Sequence, residues 1–203
     1  KTLTIPDLKR LSIEVAAEKY VHDGMVMRDI EAVVLLNEDK NIEGTLSARA
    51  DGLGALSAKY LLSPSSKSKA SANQNNYIWD SPKLGFSFQA RGLQKSVLEP
   101  FIDDKALLRK LPFDKASVSA QGELDNVAID ISNFSMNAPN LEASGAISLG
   151  KNDALAYHIT LETPRLDILK EFIEAKLPET AWREPLKLNA KGEGKLNGAQ
   201  TIL

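Results

Sequence analysis

The sequence predicts a mainly β fold: one long antiparallel sheet with two or three short amphipathic helices. Three observations lead there. Most of the chain alternates apolar and polar residues at period 2, the mark of strands with one face turned from water. Hairpin-type residues separate the alternating runs. One passage is written twice, roughly 72 residues apart, as in an array built from repeats.

Leu11, Ile13 and Val15 open the alternation, followed by Ile30, Ala32, Val34 and Leu36 and then by Leu46, Ala48 and Ala50. Asp23-Gly24 and Asn37-Glu38-Asp39 supply the turns between them. Residues 63–76, SPSSKSKASANQNN, are polar and serine-rich, so they read as a mobile loop leaving the sheet rather than as a domain linker.

The duplicated passage covers residues 86–126 and 157–198. Phe86 and Phe88 align with Tyr157 and Ile159, and Gly122 and Leu124 with Gly194 and Leu196. Val97, Leu98, Phe101 and Ile102 align with Ile168, Leu169, Phe172 and Ile173. Each copy reads strand, short amphipathic helix, proline-marked connection, strand. Apolar positions recur while polar ones drift, so the repeat is structural in character.

The helical segments fall at 94–103, 105–110 and 167–176. In the last, Ile168, Leu169, Phe172 and Ile173 form a stripe, with Asp167 placed to cap its N-terminus. Helices this short have no independent stability and must cover the apolar face or close one end of the sheet.

Between the copies, Val127, Ile129 and Ile131 share one parity, but Phe134 and Met136 have the opposite one. A β-bulge is therefore expected near Ser132 and Asn133. Leu141, Ala143, Gly145, Ile147 and Leu149, then Leu155, Tyr157, Ile159 and Leu161, give two further strands. Turns follow at Leu124-Asp125-Asn126, Gly150-Lys151-Asn152-Asp153 and Asn197-Gly198. Strands of ten residues span about 33 Å.

With 203 residues, 43% hydrophobic and 26% charged, the chain is globular. A net charge of −2 gives no basic footprint for nucleic acid. Zero cysteines exclude disulfides and thiolate metal sites and leave the redox compartment open. No run approaches the roughly 18 to 20 apolar residues that span a bilayer. The chain starts in KTLTI without an initiator Met and stops at Thr201-Ile202-Leu203 just after a turn signal. It reads as a fragment of a larger protein: one domain over 1–203, with repeat units at about 1–113 and 114–203.

Catalytic signatures are missing. His22 and His158 lack HExxH or HxH spacing, and His158 sits on the polar parity of its strand, so a solvated role is expected. There is no GxSxG elbow and no Walker loop, and Gly52-Leu53-Gly54 stands alone. Carboxylate pairs such as Glu123 with Asp125 and Asp103 with Asp104 read as turn and surface charges. Lys187, Lys191 and Lys195 alternate along one strand, a solvated face that also suits anionic headgroups. Trp182, inside the proline-bracketed LPETAWREP, reads as a plug for one end of the core. No catalytic, cofactor or metal site is predicted, and a non-enzymatic role is expected.

Residues 115–172 carry a resemblance. LEASGAISL, from Leu141 to Leu149, followed by Arg165-Leu166-Asp167-Ile168-Leu169, resembles the AsmA-like family, whose repeat passes from a strand pair through an LxASGxxSL strand to a terminal xLDLxxLL. The segment YVHDGMVMRDIEAVVLLNEDKNIEGTLSARADG, from Tyr20 to Gly52, is similar to a preceding unit. The resemblance covers nearly the whole chain, through degenerate hydrophobic patterns taken in order. It implies a periplasmic region held at the inner membrane of a Gram-negative bacterium by a segment outside this sequence. It further implies a curved sheet, a repeating β-groove or half-barrel along which phospholipid acyl chains pass in phospholipid transport and outer-membrane assembly.

An alternating sheet with one apolar face either folds into a sandwich or keeps a groove for an apolar ligand. The residues leave both open, and the resemblance together with a lining of aliphatic rather than aromatic residues favours the groove. Its expected lining is Val127, Ile129, Ile131, Leu141, Ile147, Leu155, Tyr157, Ile159, Leu186 and Leu188. Expected partners are phospholipid acyl chains, the inner membrane and envelope proteins, with no cofactor and no nucleic acid. The competing reading is a structural or protein-interaction module whose sheet edge pairs with a partner strand.

Overall fold

Ten strands lie side by side in one open, curved antiparallel sheet. The computed structural model describes residues 2–6, 10–22, 25–64, 66–71, 74–98, 110–126, 128–170 and 178–195. The strands of this sheet are β2 (Leu11–His22), β3 (Met25–Leu36), β4 (Ile42–Ala50), β5 (Gly54–Ser63), β8 (Lys83–Gln94), β9 (Lys115–Leu124), β10 (Ile129–Ala138), β11 (Leu141–Leu149), β12 (Ala154–Thr163) and β13 (Leu186–Lys195). Only β5 and β8 are neighbours without being consecutive. Between them the chain forms β6 (Ser66–Ser71) and β7 (Gln74–Asp80), which join β1 (Thr2–Pro6) in a separate three-stranded sheet.

That small sheet corrects the loop expected at 63–76. The segment does leave the main sheet, but as strands: Tyr77-Ile78-Trp79 supplies β-prone residues, and β1 gives β7 a partner on its second edge.

The turns form as their side chains dictate. Asn37 Oδ1 accepts the Asn41 N–H at 3.0 Å, while Lys40 closes the turn with φ 63° and donates its N–H to the Asn37 carbonyl. Asp125 accepts the Ala128 N–H at 2.8 Å through its carboxylate. The turns expected at Asp23-Gly24 and Asn197-Gly198 lie outside the described residues.

The bulge stands where parity required it. Register slips between Ile131 and Phe134 against β11, and between Asp130 and Asn133 against β9. Phe134 and Met136 thereby return to the face of Ile129 and Ile131. A second bulge falls between Arg91 and Leu93, where Gly92 takes φ 104°, a backbone setting that side chains oppose.

The helical expectations need correction. Among the described residues the first segment contributes one 3-10 turn, Lys95–Leu98, because β8 continues to Gln94. The third contributes another, Leu166–Leu169. Arg165, in extended conformation, occupies the N-cap position there, so Asp167 lies inside the turn, where its carboxylate meets the Arg165 guanidinium. The rest of these segments, with nearly all of 105–110, lies outside the described residues.

The larger buried apolar side chains gather at the ends of the sheet. At one end Phe113, Ala116, Ala138 and Leu141 form a core, joined by Leu98, Leu111, Met136, Leu161 and Leu169. Trp182 is 6% exposed at this end, on a 3-10 turn, with the Lys170 ammonium 5.5 Å from its ring centroid. Trp182 is therefore buried, as a plug at this end requires. At the opposite end Leu36 packs with Ile42 and Leu62. The chain's accessible surface is 14036 Å², whereas a compact protein of its size exposes about 9300 Å². A single uncovered sheet contributes to that excess.

Candidate functional site

One face of the sheet is apolar from edge to edge. Strand register places Leu149, Ile147, Gly145, Ala143 and Leu141 of β11 opposite Leu155, Tyr157, Ile159 and Leu161 of β12, and these opposite Gly194, Gly192, Ala190 and Leu188 of β13. On the other side β10 adds Ile129, Ile131, Phe134, Met136 and Ala138, and β9 adds Leu124, Ala120 and Val118. Phe86, Phe88 and Ala90 of β8, then Tyr60, Ala58 and Leu56 of β5, then Gly44, Leu46 and Ala48 of β4 continue the rows. From β4 to β13 no charged residue occupies this face. Nine strand spacings make it about 43 Å wide, and ten residues make it about 33 Å deep.

Among the described residues the face is open: its side chains are half-buried by their neighbours and no second layer covers them. Phe88, Leu124, Ile129 and Leu188 are 36%, 38%, 41% and 47% exposed. Among the described residues only the end beneath Phe113 and Trp182 is shut. Two aromatic rings lie flat on the face: Tyr60 over Gly44, and Tyr157 over Gly192, each on the neighbouring strand, where a Cβ on the glycine would strike the ring. An aromatic covering a cross-strand glycine protects backbone that would otherwise meet water.

Of the expected lining, Ile129, Ile131, Ile147, Leu155, Tyr157, Ile159, Leu186 and Leu188 share this face. Leu141 shares it too, but it is 4% exposed beneath the cap and unavailable to a ligand. Val127 lies outside the described residues. Phe134 and Met136 were missed, although applying the expected bulge to their parity places them on the face. The contribution of β4, β5 and β8 was missed because pairing of β5 with β8 across an excursion leaves no local signal.

The other face is polar and built in rows. Ser47, Ser57, Gln89, Ser119, Ser135, Ser144, Thr160 and Asn189 are in register across eight strands. The Ser119 and Ser135 hydroxyls share a hydrogen bond at 2.8 Å, and Thr160 Oγ1 donates to Asn189 Oδ1 at 2.9 Å. His158 is exposed here. Lys187, Lys191 and Lys195 are exposed on the same side, with Lys187 Nζ 2.6 Å from Glu162 Oε1, so they back the sheet rather than rim its apolar face. A hollow of about 550 Å³ on this side lies over Gly85, among Val33, Leu35 and Leu61 with Glu43, Lys59 and Glu123 around it. Its mixed, shallow lining contrasts with the broad apolar surface opposite.

No family model, no curated protein and no solved structure matches the chain. Function is therefore argued from the site. Among the described residues no group of three His, Asp or Glu is placed to hold a metal, and no helix is long and apolar enough to cross a membrane.

Proposed function

We propose that the apolar face binds acyl chains and that the chain is a non-enzymatic lipid-binding and transfer module of the AsmA-like type. The carrying observation is the face itself: ten strands wide, free of charge from β4 to β13, and, among the described residues, covered only at one end. Leaving that much apolar surface in water costs about 25 cal/mol per Å². A folded chain keeps such a surface where a partner uses it. The hydrocarbon of one leaflet is about 15 Å deep, so an acyl chain fits within the strand length. Its contacts there are non-directional, aliphatic side chains interleaved with Tyr60, Phe86, Phe88, Phe134 and Tyr157, which suits sliding better than tight, specific capture.

Within this reading the cargo is phospholipid, and the module works in the periplasm on a protein anchored in the inner membrane, in phospholipid transport and outer-membrane assembly. The test is organic extraction of the chain after expression in a bacterial periplasm, followed by mass spectrometry against a β-rich control. Phospholipid near one or more molecules per chain is expected. A lipid-free protein would refute the cargo.

The sheet edges favour a second reading. Among the described residues β2 and β13 each have one neighbour, and Ile13 and Val15 on β2 are 47% and 51% exposed. Such an edge accepts a further strand. Strand capture by an envelope protein, with a dry apolar face, is the alternative that lipid extraction decides against.

A further inference from the structure

Inside the sheet, glycines on the apolar face sit between large side chains: Gly44 between Val34 and Tyr60, Gly145 between Phe134 and Ile159. On the edge strand β13, Gly192 and Gly194 have Tyr157 and Leu155 on the β12 side. Among the described residues no strand lies on their other side, and a Cβ on Gly194 would meet nothing within 4 Å. The opposite edge is the converse. Leu11, Ile13 and Val15 of β2 pair with Leu36, Val34 and Ala32 of β3 and remain 40%, 47% and 51% exposed. One edge lacks side chains where the other has them in excess.

The two edges are also in phase. A single row of opposed residues starts at Leu11, passes through Leu36, Leu62, Leu124 and Leu155, and ends at Gly194. The sheet has ten strands, each antiparallel to its neighbours, so β2 and β13 run in opposite directions. A second copy laid with its β2 against β13 therefore continues the antiparallel order and keeps the apolar faces on one side. Continuing the row sets Leu11 opposite Gly194, Ile13 opposite Gly192 and Val15 opposite Ala190. On the polar face it sets Glu14 opposite Lys191 and Ser12 opposite Glu193, while Arg10 comes opposite Lys195 with Glu193 on its diagonal. From Leu11 to Ala17, and along all of β13, pairing runs without a slip and without proline. Neither edge there has the bulge or proline that blocks a further strand.

We infer that the β2 edge of one copy of this chain pairs with the β13 edge of the next, extending the sheet head to tail. The partner strand that these edges accept is thus the chain's own. Like edges fit worse. Two β13 edges join strands that each carry Lys187, Lys191 and Lys195 against the lone Glu193, and two β2 edges centred on Glu14 oppose its carboxylate to itself; like charges set opposite destabilise a sheet. A head-to-tail contact leaves one edge free at each end of the assembly, so growth does not stop at two copies. The assembly stands on the edges alone. That its widened apolar face carries acyl chains rests on the acyl-chain reading.

The chain has no cysteine, so Glu14→Cys and Lys191→Cys each carry a single thiol, and opposed cross-strand residues stand about 5 Å apart, within reach of a disulfide. One variant is labelled with heavy nitrogen, the two are mixed and oxidised, and mass spectrometry counts the dimers. The mixed disulfide is expected to exceed both like disulfides several-fold, and Ser57→Cys, mid-sheet on the polar face, is expected to crosslink with neither. Sedimentation velocity of the cysteine-free chain should show species that grow past the dimer as concentration rises. Glu14→Lys should weaken that association about fivefold, and adding Lys191→Glu should restore it, with circular dichroism confirming that each variant folds. A monomer at every concentration, like disulfides equal to or above the mixed one, or no rescue by the second charge reversal would overturn the proposal. Extracted lipid from a chain that stays monomeric would refute the assembly alone. Association of a chain that yields no lipid would refute the acyl-chain reading alone.

Discussion

Replacing Gly122 by alanine should weaken the protein sharply, while the same change at Gly194, its partner in the sequence repeat, should not. Gly122 lies in β9 beside the bulge of β10. A Cβ built there falls on the Asp130 carbonyl oxygen, 2.9 Å from Ile131 Cα and 3.0 Å from the Asp130 carbonyl carbon, where ordinary contacts begin at 3.4 Å. These are backbone atoms of a strand hydrogen-bonded on both sides, so relief requires β10 to withdraw by a substantial fraction of an ångström. Overpacking of this kind costs about 1–3 kcal/mol, and a strained ladder hydrogen bond adds about 1 kcal/mol. A loss of about 3 kcal/mol, or about 6–12 °C in Tm for a chain of this length, is expected. At Gly194 nothing lies within 4 Å, so alanine should be neutral or stabilising by up to about 1 kcal/mol. Thermal and urea unfolding followed by circular dichroism measure both. A Gly122→Ala protein as stable as Gly194→Ala would refute the close approach of β9 to the bulge, and with it the register that unites the apolar face.

Three further outcomes follow from the same geometry. Ile129→Asp, at a position 41% exposed, keeps its carboxylate hydrated and should cost under about 2 kcal/mol, whereas Leu141→Asp, at 4% exposed, should cost more than about 4 kcal/mol; equal losses in urea melts would contradict an open face. Trp182→Ala should cost about 3–5 kcal/mol by emptying the capped end, against under about 1 kcal/mol for Lys170→Ala, which removes only the cation above the ring; a mild Trp182 effect would contradict the plug. Lys187→Ala should change stability by less than about 1 kcal/mol, since its ion pair with Glu162 is exposed; a larger shift in the urea midpoint would contradict a solvated back face.

The sheet was legible because its physics is local. Alternation at Leu155, Tyr157, Ile159 and Leu161 states which side each residue faces, and the parity break at Phe134 locates a bulge without any knowledge of partners. Pairing across a gap is not local, so the neighbourhood of β5 and β8, and the small sheet that makes them neighbours, could not be read. The repeat misled by its phase. Phe86 pairs with Gly122, but Tyr157 pairs with Gly192 rather than with Gly194, the residue aligned to Gly122. The helical stripe at Ile168 and Leu169 carries the right apolar residues, yet extended backbone at Arg165 begins the turn two residues earlier than the capping signal at Asp167 implied. The lining residues were found where strands alternate cleanly. Leu141 was misjudged as open because exposure depends on the cap, which arrives from distant sequence.

Photo-crosslinking from neighbouring positions on β12 bears most directly on the account. Ile159 faces the apolar side and His158 the polar side. A benzophenone amino acid placed at each, with illumination in living cells of a Gram-negative host, reports which side meets lipid. A phospholipid adduct is expected at 159 and none at 158. Adducts at both, or at 158 alone, would contradict it.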